Sequence, residues 1–485
     1  MSIQFKSIVD LRAMLDEGSI SASELTQESL KLAKKYKELN CFVTMNEEIS
    51  AKKANAIDLN EKDSSWLSGI PLAQKDLFCT EGLRTTCSSK ILSNFIPPYS
   101  ATAVKKLEDA GSITVGKTNM DEFAMGSSNE TSFFGNVHNP WKKGFVPGGS
   151  SGGAACSVAA GLVPAATGTD TGGSIRQPAA LCGLTGIKPT YGRISRWGMI
   201  AFASSLDQAG PICRTAEDCS ILLDAMSGYD SRDTTSLNLD PTNTFADLNK
   251  PYENLRIGIV DEFNVDALSK ESQMLFNESL KVFESLGASI HKISLPNINQ
   301  SVPTYYVIAP AECSSNLSRY DGVKFGHRSL EAEDLESLYI NSRSEGFGDE
   351  VKRRILIGTY VLSAGYYDAY YKKAQQVRRL IKNDFEEAFK EVDLIVSPTS
   401  PSEAFEFGSK GTQDPTELYL EDLYTISSNL AGLPALSMPH GFVNGLPVGI
   451  QLIGNYLEES MILNLANRFQ QSTDFHNAKP TFEGF

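Results

Sequence analysis

The sequence has few of the residue patterns that bind metals, form disulfides or cross membranes. Its eight cysteines are scattered without a Cys-x-x-Cys pair, and its five histidines are equally dispersed, so neither a zinc site nor a redox motif is predicted. No apolar run is long enough to span a bilayer. The first residues lack the basic and apolar regions of a secretory signal. We therefore expect a cytoplasmic protein with reduced, mostly buried thiols, no metal and no membrane association.

Positive charge is also scarce. The 485 residues include 44 Lys and Arg against 59 Asp and Glu, a formal net charge of −15. Binding nucleic acid unaided requires clustered cations to neutralise phosphates, so this charge has the wrong sign. The hydrophobic content of 41% and charged content of 21% are ordinary for a globular protein. If nucleic acid takes part in the function, we expect a partner to hold it.

The periodicity of the chain predicts an α/β fold. Ser21 and Glu24 fit a capping box at the start of an amphipathic helix in the mostly helical first sixty residues. Beyond Gly69, short apolar runs alternate with helical patterns, which indicates a parallel or mixed sheet covered by helices. The expected strands are 70–73, 113–115, 163–167, 255–260, 289–293 and 394–398. The expected helices include 103–110, capped by Ser100, and 154–160, 270–286 and most of 305–389.

Two glycine-serine stretches, 147–153 and 168–178, are the most unusual part of the sequence. A phosphate-binding loop is excluded for the first stretch, because two alanines follow it in place of Lys-Ser or Lys-Thr. The same stretch formally contains Gly-x-Ser-x-Gly, but a nucleophile elbow must follow a buried strand, and the preceding residues are typical of a loop. Glycine-rich turns and a serine nucleophile both remain open.

The second stretch has a better context for a nucleophile at Ser174. It follows a short apolar strand and precedes a helix start that tolerates Pro178. The N–H groups of Thr171, Gly172 and Gly173 are able to converge on one oxygen there, as in an oxyanion hole.

A serine nucleophile also needs a base, and no histidine is an obvious partner. Lys75 follows the apolar run 70–73, and a buried lysine has a pKa low enough to accept a proton near neutrality. From the residues alone, a surface lysine and a buried base are both possible readings of Lys75.

These motifs resemble the amidase signature family. The resemblance is carried by the glycine-serine stretch 148–153, the run Gly-Thr-Asp-Thr-Gly-Gly-Ser-Ile-Arg-Gln-Pro at 168–178, Lys75, and the 24 positions between Ser150 and Ser174. It implies a single amidase domain over 1–485, with a mixed, mostly parallel central sheet covered by helices on both faces. An N-terminal helical segment of about 1–60 and a helical substrate-pocket insertion of about 303–390 complete the expected fold.

The resemblance further implies a Ser–Ser–Lys triad. In this arrangement Ser174 attacks an amide carbonyl, Ser150 relays the proton, and neutral Lys75 accepts it. An acyl-enzyme forms and is then hydrolysed. The family pattern places a cis peptide at Gly149–Ser150 and makes Ser151 a hydrogen-bonding neighbour of the triad.

Further segments resemble one branch of the family, the glutamine-hydrolysing subunits of tRNA-dependent amidotransferases. They are 119–126, 188–193, 204–208, 342–348, 365–371 and 429–434. This implies two partners, the B and C subunits of such a complex: the first binds the misacylated tRNA and uses ATP and magnesium, and the second clasps the complex together. No cofactor is implied in this chain. Whether Glu-tRNA(Gln), Asp-tRNA(Asn) or both are served is left open, as is the route of the ammonia.

The same resemblance assigns the substrate residues. Free glutamine carries an α-carboxylate and an α-ammonium, and the family pattern matches them with Arg354 and Asp422, with Tyr305 as a pocket wall. Arg353 and Tyr306 are adjacent alternatives. A free-standing amidase acting on a small amide is the rival, although an apolar substrate would leave both buried charges unpaired. A silent scaffold is a second rival, which the intact serines and lysine disfavour.

Overall fold

The chain is built around an eleven-stranded sheet. The computed structural model describes residues 3–59, 65–263, 265, 268–411, 416–482 and 484–485. In these residues the strands are β1 (Phe42–Met45), β2 (Pro71–Lys75), β3 (Ile113–Thr118), β4 (Ala165–Asp170), β5 (Thr185–Lys188), β6 (Gln208–Cys213), β7 (Arg256–Val260), β8 (Ser289–Ile293), β9 (Leu394–Pro398), β10 (Ala435–Val443) and β11 (Leu446–Gly454).

The strand order is β1-β3-β2-β4-β6-β5-β10-β11-β9-β7-β8. The predicted mixed sheet with helical layers on both faces is confirmed. Four neighbouring pairs are parallel and six are antiparallel, so the parallel part is smaller than expected. One reason is the hairpin between β10 and β11, whose two-residue turn Asn444-Gly445 has positive φ at both positions. Such turns join antiparallel strands directly.

The described helices include two short ones of four residues each. They are α1 (Ile8–Asp16), α2 (Ala22–Lys35), α3 (Glu47–Leu59), α4 (Thr102–Asp109), α5 (Gly152–Ala159), α6 (Arg176–Cys182), α7 (Ala216–Met226), α8 (Thr244–Asp247), α9 (Lys270–Ser285), α10 (Ser301–Asn316), α11 (Leu335–Gly346), α12 (Asp349–Leu362), α13 (Lys373–Glu391), α14 (Thr416–Tyr419), α15 (Ile426–Ala431) and α16 (Glu459–Gln471). A π-helical segment, Tyr367–Lys372, leads directly into α13.

The helix caps predicted from the sequence are present at some helix ends and absent at others. The capping box of Ser21 and Glu24 is present at the start of α2. Ser100 does not cap α4: its hydroxyl accepts a hydrogen bond from the Glu81 N–H at 3.0 Å, and α4 begins after Ala101 without a side-chain cap. The hydroxyl of Ser100 is therefore used by the preceding loop and not by the helix.

The sheet brings the two glycine-serine stretches together. Strands β2 and β4 are parallel neighbours, so their carboxyl ends meet at one edge of the sheet. Lys75 is the last residue of β2, and Asp170 is the last residue of β4. The first stretch leads into α5 and the second into α6, and both helices are buried along their whole length.

All eight cysteines are buried and free, as expected, and all lie in the described residues. None of the helices described is long and apolar enough to cross a membrane.

Helices α10 and α12 approach each other closely at Gly358. A Cβ on this residue would collide with the carbonyl oxygen of Pro310 in α10, so only glycine fits without a shift of the helices. The contact matters for the pocket, because α10 carries Tyr305 and Tyr306 and α12 carries Arg354.

We predict that Gly358→Ala destabilises the protein. Alanine normally stabilises a helix by about 1 kcal/mol relative to glycine, but here overpacking against the neighbouring backbone should reverse the sign and cost about 1–3 kcal/mol in urea unfolding. Leu356→Ala is the control on the same helix, because Leu356 is 70% exposed. A Gly358→Ala protein as stable as the wild type would contradict the close approach.

Candidate active site

Lys75 is the centre of the candidate site. Its Nζ lies 2.8 Å from Ser150 Oγ, 2.7 Å from Ser151 Oγ and 2.9 Å from Thr169 Oγ1, and the side chain is fully buried. Burial lowers the pKa of Lys75 to about 7, because desolvation disfavours the ammonium form, while the carboxylates of Asp121, Asp170 and Asp207 act in the opposite direction. Near neutral pH this amine is therefore able to accept a proton from a serine hydroxyl.

Ser150 is held by its own loop. The peptide bond between Gly149 and Ser150 is cis, as the family pattern implies. The Gly149 N–H donates to Gln177 Oε1 at 2.9 Å, and the Ser150 carbonyl accepts from the Asp121 N–H at 3.2 Å. A Cβ on Gly149 would collide with the Asp121 carboxylate. Glycine is therefore required where the loop passes this side chain.

Ser174 lies in the adjoining loop after β4. Its carbonyl accepts a hydrogen bond from the Ser151 N–H at 3.2 Å, and the residue is 8% exposed. Within the described residues, Lys75 and Ser150 are hydrogen-bonded, but no hydrogen bond joins the side chains of Ser150 and Ser174. The structure thus places Lys75, Ser150 and Ser151 in direct contact, and it places Ser174 in the loop that is bonded to them through the backbone.

A buried ion pair shapes the loop around Ser174. The Arg176 guanidinium donates from Nε to Asp170 Oδ2 at 2.9 Å and from Nη2 to Oδ1 at 3.0 Å, with both side chains fully buried. Burial acts to raise the pKa of Asp170, but the charge and hydrogen bonds of Arg176 outweigh it, and the pKa is lowered. The ionised Asp170 also accepts from the N–H of Ile175 at 3.2 Å.

The expected oxyanion donors must be revised at Gly173. Its N–H donates to Asp170 Oδ1 at 2.8 Å and is therefore not available to a substrate oxygen in this conformation. Thr171 and Gly172 remain as predicted donors. Gly172 faces the Tyr305 ring, whose hydroxyl oxygen would lie 2.9 Å from a Cβ at position 172, and its carbonyl accepts from Thr425 Oγ1 at 2.5 Å.

Asp422 is a buried carboxyl group of the candidate substrate site. Asp422 is 6% exposed, and Ser127 Oγ lies 3.0 and 2.9 Å from its two carboxylate oxygens. Tyr306 donates to Asp422 Oδ2 at 3.2 Å. Burial raises the pKa of Asp422 to about 7, although the Ser127 hydroxyl and the Arg354 charge both act to lower it.

Arg354 is the matching cation. It is 4% exposed, and its Nε donates to Glu350 Oε1 at 2.7 Å, whereas the neighbouring Arg353 side chain is 43% exposed and reaches only the outer oxygen of Glu350. Among the described residues Glu350 is the one hydrogen-bond partner of the Arg354 guanidinium, and its Nε alone is used. The geometry favours Arg354 over Arg353 as the inward-facing cation.

Tyr305 and Tyr306, which the sequence left as alternatives, both contact residues of the candidate site. Tyr305 packs on Gly172, and Tyr306 contacts Asp422.

Several residues around the site had no role in the sequence-based interpretation. They are Ser127, Asp170, Arg176, Glu350 and Thr425. Asp170 and Arg176 carried a usable signal, because opposite charges six positions apart in a buried glycine-rich stretch indicate an ion pair. Glu350 carried one too, because it stands three and four positions before the arginines that it contacts on α12. Ser127 and Thr425 have no such signal, since their contacts with Asp422 and Gly172 are distant in sequence. No group of three or more His, Cys, Asp or Glu in the described residues is placed to hold a metal ion.

The class of protein follows from the comparison with known families. Residues 24–463 match the family model described as Amidase, and the chain belongs to the amidase family.

Two similar sequences and one similar crystal structure carry the same protein name. The A subunit of glutamyl-tRNA(Gln) amidotransferase from Cellvibrio japonicus (strain Ueda107) is 59% identical over 97% of this chain and 98% of its own length. The protein of the same name from Nitrosococcus oceani is 58% identical over 98% of this chain and 99% of its own. The crystal structure of the Thermotoga maritima protein, again named as the A subunit of this amidotransferase, superposes with a TM-score of 0.84 at 40% identity, and the match covers 100% of this chain and 98% of that one.

We predict that Asp170→Asn destabilises the protein far more than the loss of an exposed ion pair. Breaking a buried pair leaves Arg176 as an uncompensated charge, which should cost about 3–5 kcal/mol in urea unfolding. The control is Asp393→Asn, whose carboxylate pairs with Arg256 at 2.7 Å near the surface and should contribute about 1 kcal/mol or less. Equal losses in the two variants would contradict a scaffolding role for Asp170.

Proposed function

We propose that this chain is the glutamine-hydrolysing subunit of a tRNA-dependent amidotransferase. It converts glutamine to glutamate and ammonia, and the ammonia is passed to a partner protein. The observation that carries the proposal is that buried Arg354 and buried Asp422 both lie against Tyr306, whose neighbour Tyr305 packs on Gly172 in the loop of Ser174. A zwitterionic α-amino acid amide needs both charges, whereas a simple amide needs neither.

The first half of the reaction forms the acyl-enzyme. Neutral Lys75 accepts the proton of Ser150 as Ser150 accepts that of Ser174, whose oxygen attacks the carboxamide carbon. The N–H groups of Thr171 and Gly172 stabilise the resulting oxyanion. The proton then returns along the same path to the nitrogen, the C–N bond breaks, and ammonia leaves a glutamyl ester on Ser174.

The second half consumes water. The Lys75–Ser150 pair takes a proton from a water molecule that attacks the ester, and the ester bond to Ser174 breaks. Ser174 regains its proton, and glutamate is released. The 2.8 Å contact between Lys75 and Ser150 supports this relay, and approach of Ser174 to Ser150 in the substrate complex would complete it.

Substrate orientation follows from the two charges. The Arg354 guanidinium binds the α-carboxylate, and the Asp422 carboxylate binds the α-ammonium. Tyr305, packed on Gly172, forms the wall between these charges and the reacting loop. The side-chain amide of glutamine then extends toward Ser174.

The names of the relatives, each an A subunit of an amidotransferase, support a complex with partner subunits. In the proposed complex, a B subunit holds the misacylated tRNA and uses ATP and magnesium to activate its carboxylate, and a C subunit clasps that protein and this chain together. A chain with a net charge of −15 suits a protein that does not itself hold tRNA. Such tRNA chemistry belongs to the cytoplasm. A free-standing amidase is the alternative, and it predicts activity without these partners.

We predict that Lys75→Ala, tested in the complex co-purified with its partners, loses glutamine-dependent amidation of misacylated tRNA by at least about a hundredfold, because removing a general base typically costs 10²–10⁴ in rate. Amidation supplied with ammonium chloride should persist, since the partner site is untouched. Lys105→Ala is the control, because that lysine is 60% exposed. Loss of both activities would contradict a purely glutaminase role for Lys75.

We also predict a steep acid limb in the pH profile of glutamine hydrolysis. The pKa values of Lys75 and Asp422 are both about 7. Below that pH, Lys75 gains the proton that stops it from acting as a base, and Asp422 loses the charge that binds the ammonium group. The logarithm of kcat/KM should therefore fall with a slope approaching two per pH unit for glutamine and one for butyramide, which lacks both α-groups. A flat glutamine profile down to pH 5 would contradict this assignment.

A further inference from the structure

The geometry points to Glu350 as the residue that positions Arg354 for the substrate carboxylate, a role that rests on the proposed glutaminase function. Glu350 lies one turn before Arg354 on α12, and its side chain is 14% exposed. Its Oε1 accepts two hydrogen bonds, from Arg354 Nε at 2.7 Å and from Tyr419 Oη at 3.1 Å. The other oxygen pairs with Arg353 at the surface.

An aromatic pair connects this carboxylate with Asp422. The ring of Tyr419 stacks on that of Tyr306, with centroids 3.9 Å apart and planes inclined by 20°, and Tyr306 donates to Asp422 Oδ2. The Arg354 guanidinium carbon lies 5.4 and 5.5 Å from the centroids of Tyr306 and Tyr419. One continuous set of contacts therefore determines the spacing between the cation and the anion that are to grip one amino acid.

The hydrogen bond to Nε decides which edge of the guanidinium is free. A guanidinium is planar and binds carboxylates through a rigid fork of N–H groups. With Nε bonded to Glu350, the two terminal nitrogens of Arg354 are left for the α-carboxylate, which is then gripped end-on. Without Glu350 the long side chain regains rotamer freedom, and binding glutamine must restrict it again.

This role differs from that of an ordinary helix ion pair. An exposed i,i+4 pair contributes about 0.3–0.5 kcal/mol to stability, and its loss has no reason to change the affinity for one substrate. Glu350 is linked to the proposed substrate groups through Arg354 and through the Tyr419–Tyr306 stack, and not to the residues of the reacting loop. Removing Glu350 should therefore affect binding of glutamine more than the chemistry at Ser174. A positioning role therefore predicts a change in KM with little change in kcat.

The test compares Glu350→Ala and Glu350→Gln in the full chain co-purified with its partners. We expect Glu350→Ala to raise the KM for glutamine about tenfold, a loss of about 1.4 kcal/mol in affinity, with a far smaller change in kcat and in butyramide hydrolysis. Glu350→Gln keeps an oxygen that can accept from both Arg354 and Tyr419, so its KM should stay within about threefold of wild type. Asp349→Asn is the matched control, because it removes a charge from the adjacent position, where the side chain is 91% exposed.

Three outcomes would overturn the inference: an unchanged KM in Glu350→Ala, a parallel loss of butyramide hydrolysis in that variant, or an equal rise of KM in Glu350→Gln. The Arg354→Ala variant shows whether such an outcome contradicts only the positioning role of Glu350 or also the proposed glutaminase function. If Arg354→Ala raises the glutamine KM and Glu350→Ala does not, only the positioning role fails. If neither variant alters the glutamine KM, the glutaminase assignment fails with it.

Discussion

A lysine stays uncharged inside a protein when water is excluded from it and when its neighbours do not stabilise the ammonium form. Lys75 meets the two conditions together, since its Nζ is surrounded by three hydroxyl groups and no carboxylate lies within hydrogen-bonding distance of it among the described residues. Lys117 is equally buried in the same sheet, and burial lowers its pKa as well, although the Asp76 carboxylate 3.6 Å from its Nζ acts in the opposite direction. Lys117 makes no contact with a candidate nucleophile. The chemistry of the site therefore depends on which groups face each amine, and burial alone does not decide it.

The serine loops depend in turn on a second buried interaction, the pair of Asp170 and Arg176. Arg176 also donates to Asn429 Oδ1 and Gln451 Oε1, each at 2.5 Å. These partners come from the last sixty residues of the chain, so the loop that carries Ser174 is held in part by α15 and β11. The same carboxylate that organises the loop binds the N–H of Gly173, and the proposed oxyanion site is consequently limited to two backbone donors.

The proposed site combines side chains from two parts of the fold. Lys75 and the serines lie at or after the carboxyl ends of β2 and β4, whereas α10 carries Tyr305 and Tyr306 and α12 carries Arg354. The anion, Asp422, lies just before α15. An apolar pocket at this position would suit a simple amide. Two buried charges held at a set spacing favour an α-amino acid, because leaving either charge unpaired is costly.

What the sequence by itself determined is what depends on neighbours in the chain. The capping box at Ser21, the apolar run 70–73 before Lys75, the strands 289–293 and 394–398, and the motif around Ser174 all follow from residues a few positions apart. The structure decided the rest. Ser127 meets Asp422 across 295 positions, Ser100 bonds the loop at Glu81, and Asp170 takes the N–H that was expected to serve a substrate oxygen. Local preferences act over a few residues, whereas hydrogen-bond partners are chosen by whichever groups the packed sheet and helices bring within about 3 Å.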